Sequence, residues 1–416
     1  MLVPKLKKTL HCTYVPFGKS PTRAHIYREE LYSMKYCIFI ANFLPNLGGV
    51  ERYTYNLAKK LIAKGNEVTV ITSNVFGLEE HEIIEGIEIY RIPCINLLGG
   101  RFPVLKPSRD FFRMNREMLK KEFDFAIIQS RFYVHCAYGV HFAKKKGLPR
   151  LVLEHGTNHF TVNNPLLDWA GALYEHLISA YIRANCTSYY GVSQACCDWL
   201  SHFKIQASGK LYNAVDADGI REKLASPVIS YRKEYGLQDS VVVTYTGRLV
   251  KEKGIQKLVE AVNLLKKRDI RVKLLVAGSG GLYEELAQRN DPDVILLGLL
   301  DFDHVVALLK ETDIFCLPTD YPEGFPTSVL EAAACGCYVI TTTKGGSREL
   351  IPDGSYGAIL ESNTAEEIAD AIQRAVLDEA YRESAAQKAL TRLNASFTWD
   401  KTSEEVIRIA EDMVKA

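Results

Sequence analysis

The sequence predicts an α/β protein made of two open, doubly wound parallel-sheet domains that face each other across a cleft. Three observations predict this class. The chain has 416 residues, which is too long for one ordinary hydrophobic core. Short apolar runs of strand type alternate with amphipathic runs of helix type along most of its length. The alternation lapses once, around residues 208–220, and then resumes, which indicates a domain boundary near residue 215.

The first series predicts a domain over residues 34–214. The segment "YCIFIAN" is a continuous apolar run typical of a buried parallel strand, and the loop "LPNLGGV" follows it. The next segment, "VERYTYNLAKKLIAKG", has apolar residues at helical spacing and a suitable stop at Gly65. Later strands are predicted at "EVTVITS", "FDFAIIQS" and "RLVLEHG".

The second series predicts a domain over residues 215–397. Strands are predicted at "VVVTYTGRL", "VKLLVAGSG", "VILLGLL", "DIFCLPT", "CYVITT" and "GAILE", with helices such as "GIQKLVEAVNLLKKR" between them. The amphipathic segment 398–416 is expected to form a last helix that packs back on the first domain. Ligands of such sheets bind beyond the carboxyl ends of the strands, so the functional residues are expected there.

Composition narrows the class of protein. An apolar share of 47%, a charged share of 24% and a net charge of +1 describe an ordinary globular chain and argue against electrostatic nucleic-acid binding. The ten cysteines form no C-x-x-C pair, so a reduced, cytoplasmic setting is expected. No apolar run is long enough to span a bilayer. Residues 1–33 are interpreted as a loosely ordered extension or, alternatively, a short docked helix.

Cations and glycines follow the predicted strands. Arg248 comes just after a strand, and Lys253 precedes Gly254 and a helix. Two cations at such a turn suit a phosphate or a diphosphate. In the first domain, "PNLGGVE" offers Gly48 and Gly49 for close backbone approach before a helix. Phosphate-binding features are therefore expected from both sides of the cleft.

The segment "EGFPTSVLEAAACG" (323–336) combines a loop with the start of a helix near Thr327. Free N–H groups and the positive end of the helix dipole favour a diphosphate there. Glu331 lies about one turn inside the helix, so it is expected to face the cleft and to accept hydrogen bonds from both hydroxyls of a ribose. Glu323 lies in the loop, where it is expected to meet the transferred group.

This segment is similar to the Glu-x7-Glu motif of the retaining glycosyltransferases of family 4, which have the GT-B fold. The segments "GRLVKEKG", "NAVD", "AGSG", "VILLGLL" and "PNLGGVERY" also match the family in order, and the resemblance covers roughly residues 34–400. The segment "EHG" (154–156) resembles the histidine segment of the family. The ordered set is specific, whereas any single piece would be weak evidence.

The resemblance implies a hexosyltransferase of bacterial polysaccharide-biosynthesis type. The donor, a UDP- or GDP-sugar, would bind mainly to the second domain, and a glycan or lipid-linked acceptor mainly to the first. Transfer would retain the anomeric configuration and need neither a metal nor a cofactor. The implied catalytic residues are Glu323 and His155. The implied donor-binding residues are Gly48, Gly49, Arg248, Lys253, Gly298, Leu299, Gly324, Phe325, Thr327, Ser328 and Glu331.

One departure and several alternatives accompany this hypothesis. Pro326 stands where many family members have glycine, which puts the identity of the donor sugar in doubt. A nucleotide-sugar epimerase or a non-catalytic glycan-binding subunit could share the fold. The aspartates of "DPD" (291–293) and "DFD" (301–303) are interpreted as a turn and a helix N-cap outside the phosphate site, rather than as metal ligands.

The segment 106–124 predicts a basic amphipathic helix. Arg109, Arg113, Arg116 and Lys120 share one face, while the apolar residues lie mostly on another. Such a helix can lie on an anionic membrane surface, which would bring the cleft to a lipid-linked acceptor at the inner face of the plasma membrane. The alternative is a surface helix whose apolar side packs on its own sheet.

Overall fold

The computed structural model describes residues 33–162 and 164–416. The predicted N-terminal extension therefore lies, except for Ser33, outside the described residues. Two parallel sheets of eight and six strands form two α/β domains, so the predicted doubly wound architecture is confirmed. Within the described residues, no helix combines the length and the apolar character that crossing a bilayer requires.

The first sheet has the strand order β10-β9-β8-β7-β1-β2-β4-β3. Its strands pair in parallel except β3, which is antiparallel to β4 at one edge, and β5 and β6 form a separate hairpin. The strand bounds are β1 Lys35–Phe39, β2 Glu67–Ser73, β3 His81–Ile84, β4 Ile87–Ile92, β5 Cys94–Leu97, β6 Phe102–Leu105, β7 Phe125–Gln129, β8 Arg150–Glu154, β9 Tyr189–Gly191 and β10 Gly209–Lys210.

Both faces of the first sheet are buried. Tyr36 and Ile38 of β1 belong to one core cluster, and the alternate residues Cys37 and Phe39 belong to another on the opposite face. The continuous apolar run of this strand thus reflects helices packed on both sides. The helices of this domain are α1 Gly49–Ala63, α2 Arg109–Lys120, α3 Val134–Lys146, α4 Pro165–Asn185 and α5 Gln194–Ser201.

The second sheet is wholly parallel, with the order β13-β12-β11-β14-β15-β16. Its strands are β11 Val241–Thr246, β12 Val272–Ala277, β13 Val294–Gly298, β14 Ile314–Leu317, β15 Tyr338–Thr342 and β16 Ala358–Leu360. The helices that precede, cover or follow it are α6 Ala217–Ala225, α7 Tyr231–Glu234, α8 Ile255–Lys267, α9 Tyr283–Gln288, α10 Phe302–Lys310, α11 Thr327–Ala334, α12 Ser347–Leu350, α13 Ala365–Leu377 and α14 Glu379–Ser396.

The chain passes between the domains twice, at neighbouring points. Val215 and Thr398 form a parallel bridge, in which the Val215 N–H donates to Phe397 and the Trp399 N–H donates to Val215. After the second passage, α15 (Trp399–Lys415) packs on α1 and contributes Trp399 to the first-domain core. The two domains are thus held side by side along one edge of the space between them.

The helix α2 packs against its own domain. Met114 and Met118 are buried, and Phe111 and Leu119 pack on the same core. Its basic face is exposed, and Arg113 forms an ion pair with Glu80. The structure therefore supports the surface-helix alternative, because the apolar side of α2 is not available to a membrane.

Candidate active site in the interdomain cleft

A cleft of about 590 Å³ lies between the carboxyl ends of the two sheets. Every predicted site residue except Gly298 lines it. The first-domain side consists of Leu47, Gly48, Gly49, Val50, Arg52, His155 and Val192, with Asn213 at the boundary. The second-domain side consists of Thr246, Gly247, Arg248, Lys253, Ala277, Gly278, Ser279, Leu299, Leu300, Asp301, Phe302, Val305, Glu323, Gly324, Phe325, Pro326, Thr327, Ser328 and Glu331.

Two strand ends in the second domain meet through backbone alone. Gly278 follows β12 with φ +150°, and a Cβ atom built there would stand 1.9 Å from the carbonyl oxygen of Gly247 after β11. No residue with a side chain fits that approach. Gly298 ends β13, and its carbonyl accepts from the Gly278 N–H at 2.7 Å. Gly298 therefore shapes the turn from behind the lining, and Leu299 occupies the cleft surface.

The helix α11 points its N-terminus into the cleft. It begins at Thr327 after Pro326, and no side chain caps it. The first intrahelical backbone donors are Val329 and Leu330, both to the Pro326 carbonyl, so the N–H groups of Thr327 and Ser328 have no partner among the described residues. Uncapped amides at the positive end of a helix form an anion-binding site.

Glu331 lies one turn further along α11 and lines the same cleft. No residue in the described ranges donates a hydrogen bond to its carboxylate. Burial raises its pKa, and the nearby positive charge of Arg52 opposes that rise. The structure places a cation of the first domain, Arg52, near this carboxylate. A diol that donates two hydrogen bonds would satisfy it further.

Glu323 is already engaged by its neighbours. Its Oε1 atom accepts from Lys253 Nζ in an ion pair and from Thr319 Oγ1 at 3.3 Å. The ring centroid of Tyr321 lies 5.2 Å from Lys253 Nζ and 5.3 Å from the guanidinium carbon of Arg248. Lys253 was expected to bind phosphate and Glu323 to meet the sugar, but the two side chains pair directly.

Arg248 is exposed on the cleft wall and has no carboxylate within ion-pair distance in the described parts of the chain. Its position just past β11 places it in the same cleft lining as the N-terminus of α11. An unpaired guanidinium offers planar, bidentate donors to a phosphate, and the uncapped amides of α11 offer further donors in the same cleft. Of the two predicted cations, Arg248 is therefore the one available to an anion without first leaving a carboxylate.

His155 follows β8 and stays neutral near pH 7. Its Nε2–H donates to Gln129 Oε1 at 2.7 Å, and its ring packs edge-on against Tyr53 with centroids 4.9 Å apart. Burial lowers its pKa to about 3. Because Nε2 is occupied as a donor, Nδ1 is left as an acceptor. The residue can accept a hydrogen bond from a sugar hydroxyl but does not carry a charge there.

The N-terminus of α1 has a carboxylate folded over it. Asn46 Nδ2 donates to Glu51 Oε1 at 3.1 Å, and a Cβ atom at Gly48 would stand 2.5 Å from Glu51 Oε2. Burial raises the pKa of Glu51. In this conformation Glu51 occupies the helix end that the sequence analysis expected to meet phosphates, and Gly48 and Gly49 form the rim of the cleft.

Three contacts join the domains at the cleft floor. Thr157 Oγ1 donates to the Glu323 carbonyl at 3.1 Å, and Asn213 Nδ2 donates to the Phe325 carbonyl at 2.9 Å. A Cβ atom at Gly324 would stand 2.1 Å from the His155 carbonyl oxygen. The loop that carries Glu323 therefore rests on the loop that carries His155, and glycine is needed where they touch.

Several lining residues escaped the sequence analysis. Arg52 carried a signal, since it follows the Gly48–Gly49 turn in the first turn of a helix that points at the cleft. Asp301 does cap α10, as predicted, by accepting from the His304 N–H at 2.9 Å. It also lines the cleft beside Phe302, and its position outside the phosphate site stays a prediction. The turn between β13 and α10 ends at this surface.

Two family models match the chain. Residues 47–218 match Glycosyltransferase Family 4, and residues 229–392 match Glycosyl transferases group 1. An uncharacterized glycosyltransferase of Methanocaldococcus jannaschii is 23% identical over 92% of this chain and 99% of its own. The phosphatidylinositol N-acetylglucosaminyltransferase GPI3 subunit of Saccharomyces cerevisiae is 25% identical over 80% of this chain and 73% of its own.

The solved structures that resemble this fold include two of Anabaena HepE. The complex of HepE with UDP superposes with a TM-score of 0.70 at 16% sequence identity, over 92% of this chain and 100% of that one. The complex with UDP-glucose gives a TM-score of 0.67 at 17% identity, over 91% and 100%. At this identity the likeness concerns the fold.

Proposed function

The chain is a glycosyltransferase with the GT-B fold, and from this premise we propose that it moves a sugar from a UDP- or GDP-sugar to a glycan or lipid-linked acceptor, with retention of anomeric configuration. The observation that supports the proposal is that Arg248, which has no carboxylate partner in the described residues, lines the same cleft as the uncapped N-terminus of α11. The diphosphate of the donor occupies it, and the nucleoside lies toward Leu299 and Glu331.

Recognition of the donor follows from the charges of the cleft. Arg248 and the amides of Thr327 and Ser328 bind the diphosphate, each charge-assisted hydrogen bond contributing on the order of 1.5–3 kcal/mol. Glu331 accepts from the ribose hydroxyls. The HepE complexes with UDP and UDP-glucose support a uridine nucleotide as the first donor to try. Arg248 and the positive end of the α11 dipole would offset the charge on the leaving diphosphate, so we expect the transfer to need no metal.

The transfer breaks the bond between the anomeric carbon and the diphosphate oxygen, and it forms a bond from that carbon to an acceptor hydroxyl on the same face. The hydroxyl proton passes to the leaving phosphate oxygen, so no separate base is required. Glu323, held by Lys253 and Thr319, faces the sugar and stabilises positive charge on it as the old bond breaks. Neutral His155 accepts from a sugar hydroxyl through Nδ1 and orients the ring.

A lipid-linked acceptor is favoured by the surface of α4. Its opposite side is buried through Glu175, Ser179 and Ile182, while one face exposes large apolar side chains at helical spacing. Those residues, with their exposed fractions, are Leu166 74%, Trp169 67%, Leu173 50% and Leu177 66%. The helix begins ten residues after His155, on the acceptor domain. A relative whose name specifies phosphatidylinositol agrees with a lipid acceptor, and cell-surface polysaccharide synthesis at the cytoplasmic face of a membrane is the corresponding role.

The test begins with binding. Calorimetry with UDP-, GDP- and ADP-sugars is expected to select one base, and Arg248→Ala is expected to weaken that donor by about 10-fold or more. The matched control is Arg271→Ala. Arg271 is an exposed arginine just before β12, so it lies at the amino end of that strand, away from the cleft at the carboxyl ends. Equal affinity of both variants and the unchanged protein would refute the anion site.

The products separate the remaining alternatives. With donor and a lipid-linked or glycan acceptor, NMR of the product is expected to show the anomeric configuration of the donor. An inverted product would overturn retention. Conversion of the sugar without any acceptor would identify an epimerase, and binding without turnover with any acceptor would identify a non-catalytic subunit.

A further inference from the structure

Three histidines meet on the first domain at a place that does not line the cleft. His159 lies in the loop after β8, His176 in the middle of α4, and His202 just after α5. One ring nitrogen from each lies within 4.8 Å of the others. Within residues 33–162 and 164–416, this is the one group of three histidine, cysteine or acidic side chains close enough to share a metal ion.

The spacing of two of these nitrogens fits a common ligand. His159 Nε2 and His202 Nε2 are 3.3 Å apart. Nitrogen ligands lie about 2.0–2.1 Å from Zn²⁺, so two of them on a tetrahedral ion are separated by roughly 3.4 Å. Two neutral imidazoles that turn bare Nε2 lone pairs toward each other at this distance repel. A proton or a metal ion between them relieves that repulsion.

The buried carboxylate of Glu175 fixes the tautomer of His159. Its Nδ1 lies 3.1 Å from Glu175 Oε2, and Glu175 is buried. A carboxylate accepts only, so Nδ1 carries the proton and Nε2 presents its lone pair to His202. A carboxylate that holds the far nitrogen of a histidine ligand is the usual outer contact of a metal site, because it orients the ring and makes it more basic.

The charge of the surroundings also favours a cation. Arg131 lies between Glu154, with Nε 2.9 Å from Oε2, and Glu175, with Nη1 3.2 Å from Oε2. All three residues are at most 2% exposed. When both carboxylates are ionised, they exceed the one guanidinium by a single negative charge, and Glu175 lies directly behind His159. A positive charge on the histidine side compensates this negative charge.

We propose that His159, His176 and His202 bind a transition-metal ion of the Zn²⁺ type, with water as the fourth ligand. His176 and His202 are exposed, so the ion has access from solvent. The ion takes no part in sugar transfer. It joins three segments that are far apart in the chain: the loop that carries His155 and Thr157, the acceptor-domain helix α4, and the end of α5. Its effect is to hold the acceptor side of the cleft in one conformation.

The experiment uses the full-length, untagged protein after removal of metals with a chelator. Titration with ZnCl₂ in a calorimeter is expected to show one equivalent bound with micromolar or tighter affinity, and Co²⁺ is expected to give the strong visible absorption of four-coordinate cobalt. His176→Ala and His202→Ala are expected to lower the affinity at least 10-fold and to remove the metal-dependent rise in melting temperature. His141→Ala, at an exposed histidine of α3, is the matched control and should leave both unchanged.

The opposite results overturn the proposal. If neither ion binds at micromolar concentration, the contact between His159 and His202 is a shared proton and not a metal site. If Zn²⁺ binds equally well to the His176→Ala and His202→Ala variants, the ion is held elsewhere, for example by the partly exposed thiol of Cys94. Substitution of the exposed His176 is not expected to prevent folding, and its circular dichroism spectrum checks this.

Discussion

Glu323 is the residue whose surroundings say most about the chemistry of the cleft. An ion pair with Lys253 and a hydrogen bond from Thr319 hold its carboxylate in a fixed direction before any ligand arrives. Such a fixed charge stabilises a transition state without having to reorganise. The Glu323 side chain is 12% exposed and lines the cleft, so a sugar can reach it.

Replacing Glu323 by glutamine tests this role. The change keeps the shape and removes the charge, so kcat is expected to fall about 100-fold while donor affinity changes little. Steady-state kinetics and calorimetry with the same donor measure the two effects separately. A variant with unchanged kcat would show that Glu323 only supports the loop, and a variant with lost affinity alone would assign it to donor binding.

A second residue-scale prediction concerns pH. His135 is fully buried, with Nε2 2.8 Å from the Ile71 carbonyl oxygen, and burial lowers its pKa to about 4. In the unfolded chain the His135 imidazole is protonated with the ordinary pKa of about 6.5. Its contribution to stability is therefore complete above pH 6.5 and is lost as the pH falls toward 4.

The size of this effect is about 2–3 kcal/mol between pH 7.5 and 4.5, at about 1.4 kcal/mol per pKa unit. Urea unfolding at the two pH values measures it. His135→Gln keeps a donor for Ile71 and cannot titrate, so its stability is expected to depend less on pH by this amount. An equal pH dependence in both proteins would contradict the assignment. His155, whose pKa is also lowered, adds to the slope in both.

The positions of Arg248, Glu323 and Glu331 at the cleft could be predicted from the sequence, whereas the residues that contact them could not. Arg248, Glu323 and Glu331 follow strands of one parallel sheet, and the carboxyl ends of such strands share one edge, so their meeting at the cleft could be predicted. Their partners could not. Arg52 faces Glu331 because of the orientation of one domain on the other, and no periodicity in either domain encodes that orientation.

At the scale of elements, we expect α11 to bind the diphosphate of the donor through the backbone N–H groups of its first turn. Thr327→Pro removes one N–H at the first helical position, where proline is tolerated, and the preceding Pro326 already has the extended conformation that a following proline requires. Donor affinity is expected to fall about 10-fold, the loss of one charge-assisted hydrogen bond.

The matched variant is Thr327→Ala, which loses the hydroxyl and keeps the N–H. Calorimetry with the preferred nucleotide sugar should find its affinity close to that of the unchanged protein. If both variants weaken binding equally, the hydroxyl of Thr327 and not the helix N-terminus is the ligand. Circular dichroism confirms that the helices survive the proline.

The helix α4 gives the corresponding prediction for lipid. Leu173→Ser with Leu177→Ser removes two exposed apolar side chains, and flotation with anionic vesicles is expected to fall several-fold, since burying such a side chain contributes about 1.5–3 kcal/mol. Changing Arg109, Arg113, Arg116 and Lys120 of α2 to glutamine is expected to alter mainly the salt dependence of binding. Vesicle binding insensitive to both sets of changes would remove the membrane from the proposal.

These two helices also show where sequence patterns lose information. The spacing of the apolar residues in α2 predicted correctly which side of the helix is apolar. The same spacing is found in a helix whose apolar side is buried in its own domain and in one whose apolar side faces a membrane. The arrangement of neighbouring helices decides between them. In α4 the apolar residues are so numerous that both sides carry them, and only the fold shows that the side with Leu173 and Leu177 lacks a partner among the described residues.

For the whole molecule, Gly324 is a point of close contact between the two domains. Gly324→Ala would place a Cβ atom 2.1 Å from the His155 carbonyl oxygen, a contact that backbone cannot absorb. The domains must then separate slightly, so kcat is expected to fall at least 10-fold while the unfolding transition of each domain is preserved. The measurement is kcat with saturating donor, together with small-angle scattering of the free protein.

Gly281→Ala is the control for that experiment. A Cβ atom at Gly281 meets nothing within 4 Å, and the residue follows β12 without lining the cleft. Its turnover is expected to match that of the unchanged protein. If Gly324→Ala is equally active, the close contact between the loops is not needed for transfer, and the catalytic arrangement must form with the domains further apart.

The paired passages of the chain near Val215 and Thr398 have a mechanical consequence. The two segments are joined by one isolated bridge, so twisting and sliding of the domains strain its hydrogen bonds more than a rotation about the line between the segments does. A rotation of that kind would displace residues in proportion to their distance from the bridge, so the cleft rim farthest from Val215 and Thr398 would move most and the two sheets would stay intact.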